Sequence, residues 1–575
     1  MSIGTRSFAG VLAAIAVVLS GCAPAAPTPP AAQAPTAAPA AKAPTAPAAA
    51  ATQAPAAPAA AATQAPPAQA TAAPAVQAPT VAPAPAGPPI VRGGVLSWAY
   101  TTIPLKLDPV WTQARTDGII LSQMIEGLVL PNAQGTGVEP GLSDKWTISD
   151  DGLTYTFHLR AGVKFHNGKA LTPEDVIASL ERDRSMGTYK WSLENVQSID
   201  KVDASTVKIT IGSKVASFLA RLAMNPNAIF PAEEVAKVGS DEFTQPIGTG
   251  PFKFKEWVRG DHLTLERNTD YWQMAPDGKP LPYLDGIEIR QVAEDSTKVL
   301  QIQAGSLNGT EGLPWSQVTA LQSDARGQLI LLPQQQIYFM VLNLTKPPFD
   351  DVKVRQAMSL ALDRQVFVDR ATAGKADVAN SFMPKSGLCW NANAKLPYNV
   401  EQAKALIAQS KYPTGFSGGK LQLTSGGQVG RDNAVLAKDM WDKIGINLTI
   451  EEVEGSSLAN NWYKGDFDSI SGFQWTNGMV DPEQHVIFFF VDPKMNTGYQ
   501  PDQHATDLAK AASQELDPQK RCGMYNELQD TYNQDVGGTI TLYYSPSVNY
   551  LSPDVKGFTR TPLGVPLYKQ TWLGK

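Results

Sequence analysis

The sequence predicts an α/β protein folded in two lobes, and three observations carry that expectation. Residues 421 to 450 run strand, helix, strand, which implies a parallel pair joined by a right-handed crossover. Residues 146 to 168 have a different grammar, with short alternating strands and two hairpin turns. The stretch from 91 to 575 is also longer than one hydrophobic core serves, and fits two or three domains.

The N-terminal end reads first as an export signal. Arg6 precedes the apolar run Phe8 to Leu19, and Ser20-Gly21-Cys22 follows. A basic start, a short apolar segment and small residues at its exit make a secretory signal, too short to span a bilayer comfortably. Leu19-Ser20-Gly21-Cys22 resembles a bacterial lipobox, in which Cys22 is diacylated and becomes the new N-terminus. More than one acyl chain holds a protein on a membrane where a single chain is marginal. Residues 23–90 are almost entirely Ala and Pro with scattered Thr and Gln. They offer nothing large to bury, and the prolines block helix and sheet, so this segment reads as a disordered tether. Fully extended it would reach on the order of 200 Å at ~3.1 Å per residue.

In the folded part, Trp146-Thr147-Ile148 leads into Asp150-Asp151-Gly152, a hairpin turn that needs positive φ. The next strand places Tyr155, Phe157 and Leu159 on one face. Val163-Lys164-Phe165 runs into a second hairpin signal, Asn167-Gly168. Thr172-Pro173-Glu174-Asp175 then starts a helix, with a hydroxyl cap, proline in the first turn and acids at the positive dipole end. Val176, Ile177 and Leu180 give that helix its apolar stripe.

Further along, Asp351 caps a helix whose apolar positions are Val354, Met358, Ala361, Leu362 and Val366. Val400, Ala403, Leu406 and Ile407 mark another. In the β-α-β unit, Leu421 and Leu423 lie in a strand, Leu436 and Met440 on the helix that Gly445 ends, and Ile446, Leu448 and Ile450 in the second strand. Cys389 and Cys522 are the cysteines left after Cys22. In an oxidising compartment they can pair, or they can stay as buried thiols, because sequence does not show whether their Cα atoms approach.

Composition removes several function classes. With 48 Lys and Arg against 54 Asp and Glu, the net charge is −6. A nucleic-acid binder would show a concentrated basic surface instead. The five histidines, His158, His166, His262, His485 and His504, form no metal-ligand motif. Gly248-Thr249-Gly250 is stopped by Pro251 and lacks the lysine and hydroxyl of a phosphate loop. No cofactor, no bound metal and no catalytic residue is expected.

Several short strings resemble one family in order. They are Pro140-Gly141-Leu142-Ser143-Asp144-Lys145-Trp146, Leu159-Arg160-Ala161-Gly162-Val163-Lys164-Phe165-His166-Asn167-Gly168, Gly248-Thr249-Gly250-Pro251-Phe252, Glu266-Arg267-Asn268 with Tyr271-Trp272, and Val354-Arg355-Gln356-Ala357 with Ala361-Leu362-Asp363-Arg364. Across 91 to 575 they are similar to the family 5 extracellular solute-binding proteins of ABC importers, which take peptides, nickel or oligosaccharides. The resemblance implies a two-lobe periplasmic-binding-protein-like fold of type II with an extra subdomain in the first lobe. Residues 91–337 with 543–575 form the first lobe and 338–542 the second, with the two crossings near Tyr338 to Asn343 and Ile540 to Tyr544. It also implies a monomer that closes on a small-molecule, peptide or oligosaccharide ligand and delivers it to a permease and ATPase outside the cytoplasm. A sensory lipoprotein of the same fold and a nickel-complex binder are the alternatives within that reading.

The resemblance points to the stretch Phe473 to Pro482 as a ligand loop. In the family's peptide-binding branches the matching loop starts with a tryptophan, reaches a proline seven residues later, and carries an aspartate three residues after the tryptophan to pair with the peptide's ammonium. Trp475 and Pro482 keep the spacing, but Gly478 stands where the aspartate would be. An ammonium buried without a carboxylate is costly, so free peptides are less favoured; Asp481 with a different loop geometry, Asn477, backbone carbonyls or an acid elsewhere are the groups that could still meet one. Trp475 offers a flat face for a sugar ring or an apolar side chain, and Gln474, Thr476 and Asn477 offer neutral hydrogen-bonding groups. Tyr100, Thr101, Trp111 and Trp315 join the candidate ligand contacts by their proximity to cleft loops.

Overall fold

The computed structural model describes residues 89–574 except 112–113, 334, 477 and 492–496. The signal segment, Cys22 and nearly all of the 23–90 tether lie outside the described residues.

Two mixed sheets organise the chain. The first has seven strands in the order Gln328–Leu332, Ser547–Leu551, Gly309–Glu311, Val95–Tyr100, Gly286–Gln291, His262–Arg267 and Phe252–Val258. Val95–Tyr100 runs parallel to both Gly286–Gln291 and Gly309–Glu311. Its core gathers around Trp98, which is fully buried and stacks on Phe558 at 5.0 Å. The second sheet has six strands, Asp377–Val378, Thr539–Tyr544, Gln336–Leu342, Ser469–Thr476, Phe416–Thr424 and Ile446–Val453. Phe416–Thr424 and Ile446–Val453 are the expected parallel pair, joined through the helix Gln428–Asp442. Leu421, Leu423, Ile446 and Leu448 are buried, while Leu436, Met440 and Ile450 pack against that core partly exposed.

The hairpin region forms the extra subdomain of the first lobe. Ser143–Ile148, Thr154–Leu159, Thr206–Ile211 and Val196–Asp203 make an antiparallel sheet of four strands. Tyr155, Phe157 and Leu159 alternate inward because side chains on a strand point to opposite faces. Gly152 and Gly168 have φ of 71° and 87°, the left-handed conformation their turns require. The helix Pro173–Ser185 covers this sheet, and the Asp175 carboxylate accepts from the Thr172 amide at its start. Val176 and Leu180 are buried, with Ile177 at the rim.

Three of the family strings, those holding His166, Gly248 to Gly250, and Tyr271 with Trp272, are joined by one polar network. The buried Glu126 carboxylate accepts from Tyr271 Oη at 2.7 Å, Trp272 Nε1 at 2.9 Å and Thr249 Oγ1 at 2.9 Å. Burial raises its pKa, since desolvation disfavours the charge. Gly248 and Gly250 press on the backbone of Met124, where an added Cβ would lie 2.1 Å from Met124 O and 2.6 Å from Met124 C. His166 ties the second hairpin to the same loop, with Nε2 bonded to Gly250 O and Nδ1 accepting from the Gly248 amide. Desolvation lowers its pKa to about 4, so it is neutral.

In the second lobe the expected caps form. Asp351 accepts from the Lys353 amide, but the one helix expected through Val366 is two, Val352–Leu360 and Arg364–Ala371, because Asp363 caps a new start; Val354, Met358, Ala361 and Leu362 are buried. Val366 is only half-buried. In the helix Val400–Ala408, Ala403 and Ile407 face inward, with Val400 and Leu406 at the margin. Cys389 and Cys522 form a disulfide, with Cα atoms 4.8 Å apart.

The passages between sheets differ from the expected ones by a few residues. The chain leaves the first sheet at Leu332 and enters the second at Gln336, and returns between Tyr544 and Ser547. Tyr338 to Leu342 and Ile540 to Tyr544, the stretches expected near the crossings, lie within the strands Gln336–Leu342 and Thr539–Tyr544 of the second sheet. These β-rich runs are adjacent there, paired along Ile337 to Val341. Gln335 anchors one passage. Its amide N–H donates to Pro562 O at 2.7 Å, and its side chain donates to Gly135 O and Ser386 O.

Candidate functional site

Parallel strands direct their carboxyl ends toward one edge of a sheet, and crevices outside such ends are where open α/β sheets place ligands. In the first lobe those ends are Tyr100, Gln291 and Glu311; in the second they are Thr424, Val453 and Thr476. The two edges meet. Val429, just past Thr424, packs against the cluster holding Ala99, Trp315 and Val548. Met479 and Val480, just past Thr476, pack against Ala220, Met224 and Leu563.

The loop singled out from Trp475 onward is thus an interlobe contact, and each candidate residue in it has a definite place. Trp475 is half-buried and lies against Phe488, with ring centroids 4.3 Å apart. Gln474 is exposed at the sheet surface and accepts from Gln336 Nε2 at 2.7 Å. Thr476 ends the strand opposite Gln336. Asn477 lies outside the described residues. The Gly478 amide donates to Gln484 Oε1, and a Cβ there would meet nothing nearer than 3.5 Å, so packing does not demand glycine.

Asp481 is engaged by an internal partner in this structure. It is buried, and Arg521 grips both its oxygens, Nη1 at 2.7 Å and Nη2 at 2.5 Å. A forked guanidinium pair satisfies the carboxylate and leaves it structural. The acid two residues on, Glu483, crosses to the first lobe instead. Its Oε2 accepts from Arg221 Nε at 3.1 Å and bonds Ser217 Oγ. Sequence reasoning missed this pair, since nothing local marks residues 262 positions apart as partners.

The first-lobe candidates divide. Tyr100 is core, its hydroxyl bonded to Tyr568 at 3.1 Å. Trp315 is also core, packed with Val318 and Leu321. Trp111 is half-buried, and its indole N–H has no acceptor among the described residues. Thr101 is exposed at the strand edge and accepts from Lys298 Nζ at 2.6 Å. Beside them lies a charged cluster that the sequence did not reveal. Arg115 Nη1 meets Glu311 Oε1 at 2.5 Å, and Arg560 meets the other oxygen of the same carboxylate. Burial, with Arg115 nearby, lowers the Arg560 pKa to about 10.

This arrangement brings hydrogen-bonding, aromatic and charged groups to the place where the two carboxyl edges meet. Among the described residues no group of three or more His, Cys, Asp or Glu is placed to hold a metal ion.

Comparison with known proteins agrees with the architecture. The family model for bacterial extracellular solute-binding proteins, family 5 Middle, matches residues 137–497. Heme-binding protein A of Haemophilus influenzae is 28% identical over 505 residues, covering 80% of this chain and 89% of that protein. Glutathione-binding protein GsiB of Salmonella paratyphi A is 30% identical over 436 residues, covering 73% and 83%. The solved structure of the ABC transporter-associated periplasmic binding protein DppA from Helicobacter pylori, in complex with peptide STSA, superposes with a TM-score of 0.74 at 26% identity, covering 84% of this chain and 99% of that one. With its two mixed sheets meeting at their carboxyl edges, this chain belongs to the family 5 bacterial extracellular solute-binding proteins, the substrate-binding components of ABC importers.

Proposed function

We propose that the chain captures a polar solute, a peptide, oligosaccharide or compound of similar chemistry, in the crevice between its lobes and closes on it without altering it covalently. The observation that carries this reading is the meeting of the two carboxyl edges through Met479, Val480 and Glu483, contacts that must part for a guest to enter. A ligand touching both lobes favours closure by the difference in its affinity for the two states. The names of the relatives support a ligand of peptide-like size, since one binds glutathione and another was solved with a tetrapeptide. Gly478 and the engaged Asp481 argue against recognition of a free peptide N-terminus by this loop.

The surroundings of the site follow from the N-terminal sequence. The proposal has the signal removed, Cys22 lipidated, and the 23–90 tether holding a monomeric binding unit at the outer face of a membrane, in a periplasm or at a cell surface. The test is a thermal-shift screen of blocked and free peptides, oligosaccharides and nickel complexes. A ligand of the folded state raises apparent stability. Shifts from free di- and tripeptides alone would contradict the reading of Gly478, and turnover of any ligand would contradict the absence of chemistry.

A further inference from the structure

We propose that the solute carries an oxyanion, a carboxylate in the first instance, and that Arg115 receives it; this rests on the crevice reading above and names the chemistry of its guest. The argument begins with charge. Arg115 and Arg560 both bind the single carboxylate of Glu311, so the bonded triad carries one net positive charge. The neighbouring cation at the same strand edge is different, because Lys298 has its own acid, Asp295, at 2.8 Å.

Exposure separates the two guanidinium groups. Arg560 is 1% exposed and Glu311 7%, whereas the Arg115 side chain is 40% exposed. Arg560 is committed to Ser547 Oγ and Glu311, and its Nε is buried without an acceptor among the described residues. Arg115 holds Glu311 and Gly564 O and still faces solvent. It is nonetheless walled in by protein, and that desolvation lowers its pKa. A desolvated cation gains more from a partner than one in open water, since its field is less screened.

Position places this charge beside the meeting of the two carboxyl edges. Glu311 and Tyr100 are carboxyl ends of neighbouring parallel strands, and Arg115 opens the helix Arg115–Leu121 after that edge. Gly564, which holds Arg115, follows Leu563, the residue that packs on Met479 and Val480 of the other lobe. A guest at this edge meets a planar, forked donor suited to a carboxylate, while the opposite loop lacks an acid for an ammonium at Gly478.

The test uses matched pairs on the folded full chain: acetyl-trialanine and its amide, galacturonate and galactose, tricarballylate and its triamide. Binding is read by calorimetry at low salt. The acids are expected to bind at least tenfold tighter than their neutral partners, Arg115→Met to erase that preference, and Arg115→Lys to keep part of it, with the melting temperature of each empty variant confirming its fold. Equal binding of acids and neutral partners, an acid preference that survives Arg115→Met, or no binding by any acid in the panel would overturn the proposal. Neutral compounds that bind and are lost on Trp475→Ala would overturn the anion assignment but keep the crevice; binding that neither substitution touches would overturn both.

Discussion

Arg221 Nε lies 3.1 Å from Glu483 Oε2, and the two side chains, only 6% and 4% exposed, belong to different lobes. Ser217 Oγ bonds the same oxygen, and the Ala216 amide donates to Ser513 O beside it, so backbone and side chains cross together. Removing one partner of a buried pair strands the other charge without solvent. On the proposed hinge motion the penalty has an escape, because parting the lobes would return Arg221 to water while Trp191 O and Ser217 Oγ still hold it.

Glu483→Gln therefore moves the empty protein toward the open form rather than unfolding it. Because closure is linked to binding, ligand affinity should fall by roughly 5- to 150-fold, the usual range of such coupling. Calorimetry with the ligand found by screening measures this. Unchanged affinity would mean that the pair is not broken on opening.

Trp475→Ala should weaken ligand binding at least tenfold, about 1.4 kcal/mol. The ring also rests on Phe488, so the empty variant should lose about 1 kcal/mol of stability as half-buried aromatic area is removed. Comparing calorimetric affinity with urea unfolding separates the two effects. A stability loss with intact affinity would make Trp475 purely structural.

Asp183 predicts a pH dependence of folding. Its carboxylate is buried, and that desolvation outweighs the nearby Arg182 and Ser192 and raises its pKa to about 7. A carboxyl raised in the folded state contributes stability that is full below its unfolded pKa and is lost as pH rises through the folded value. The window runs from about pH 4 to about pH 7, with roughly 4 kcal/mol as its upper size. Asp183→Asn should gain stability relative to the parent as pH rises from 5 to 8, read by melting temperature. A difference independent of pH would contradict the assignment.

How much of this was legible in the sequence depended on the range of the interaction. Gly152, Gly168, Thr172 with Asp175, and the alternation at Tyr155, Phe157 and Leu159 were readable because turn, cap and strand rules act over a few residues. The Leu421 to Ile450 unit was readable because its period changes within one stretch. That Ile337 to Leu342 is a central strand of the second sheet was not legible, because an apolar run does not show which sheet it joins. The pairing of Asp481 was not legible because its partner, Arg521, lies on a distant helix. The Arg115, Glu311 and Arg560 cluster was invisible for the same reason: three segments far apart in sequence build one ion-pair cluster.

The disulfide closes a loop between residues 133 positions apart, within the second lobe. Cross-linking a loop of that order restricts the unfolded chain, and its removal costs about 2–5 kcal/mol. Cys389→Ala with Cys522→Ala, or reduction of the parent, should lower the urea midpoint by a matching amount while leaving the first lobe's signals unchanged. An unaltered midpoint would contradict a structural role for this bond.

Small-angle scattering during ligand titration tests the clamp itself. The radius of gyration should fall to a plateau as the crevice is occupied, and the ligand recovered afterwards should be chemically unchanged. A saturating ligand that leaves the radius unaltered, or returns as a reaction product, would contradict a hinged pair of lobes that holds its guest and releases it whole.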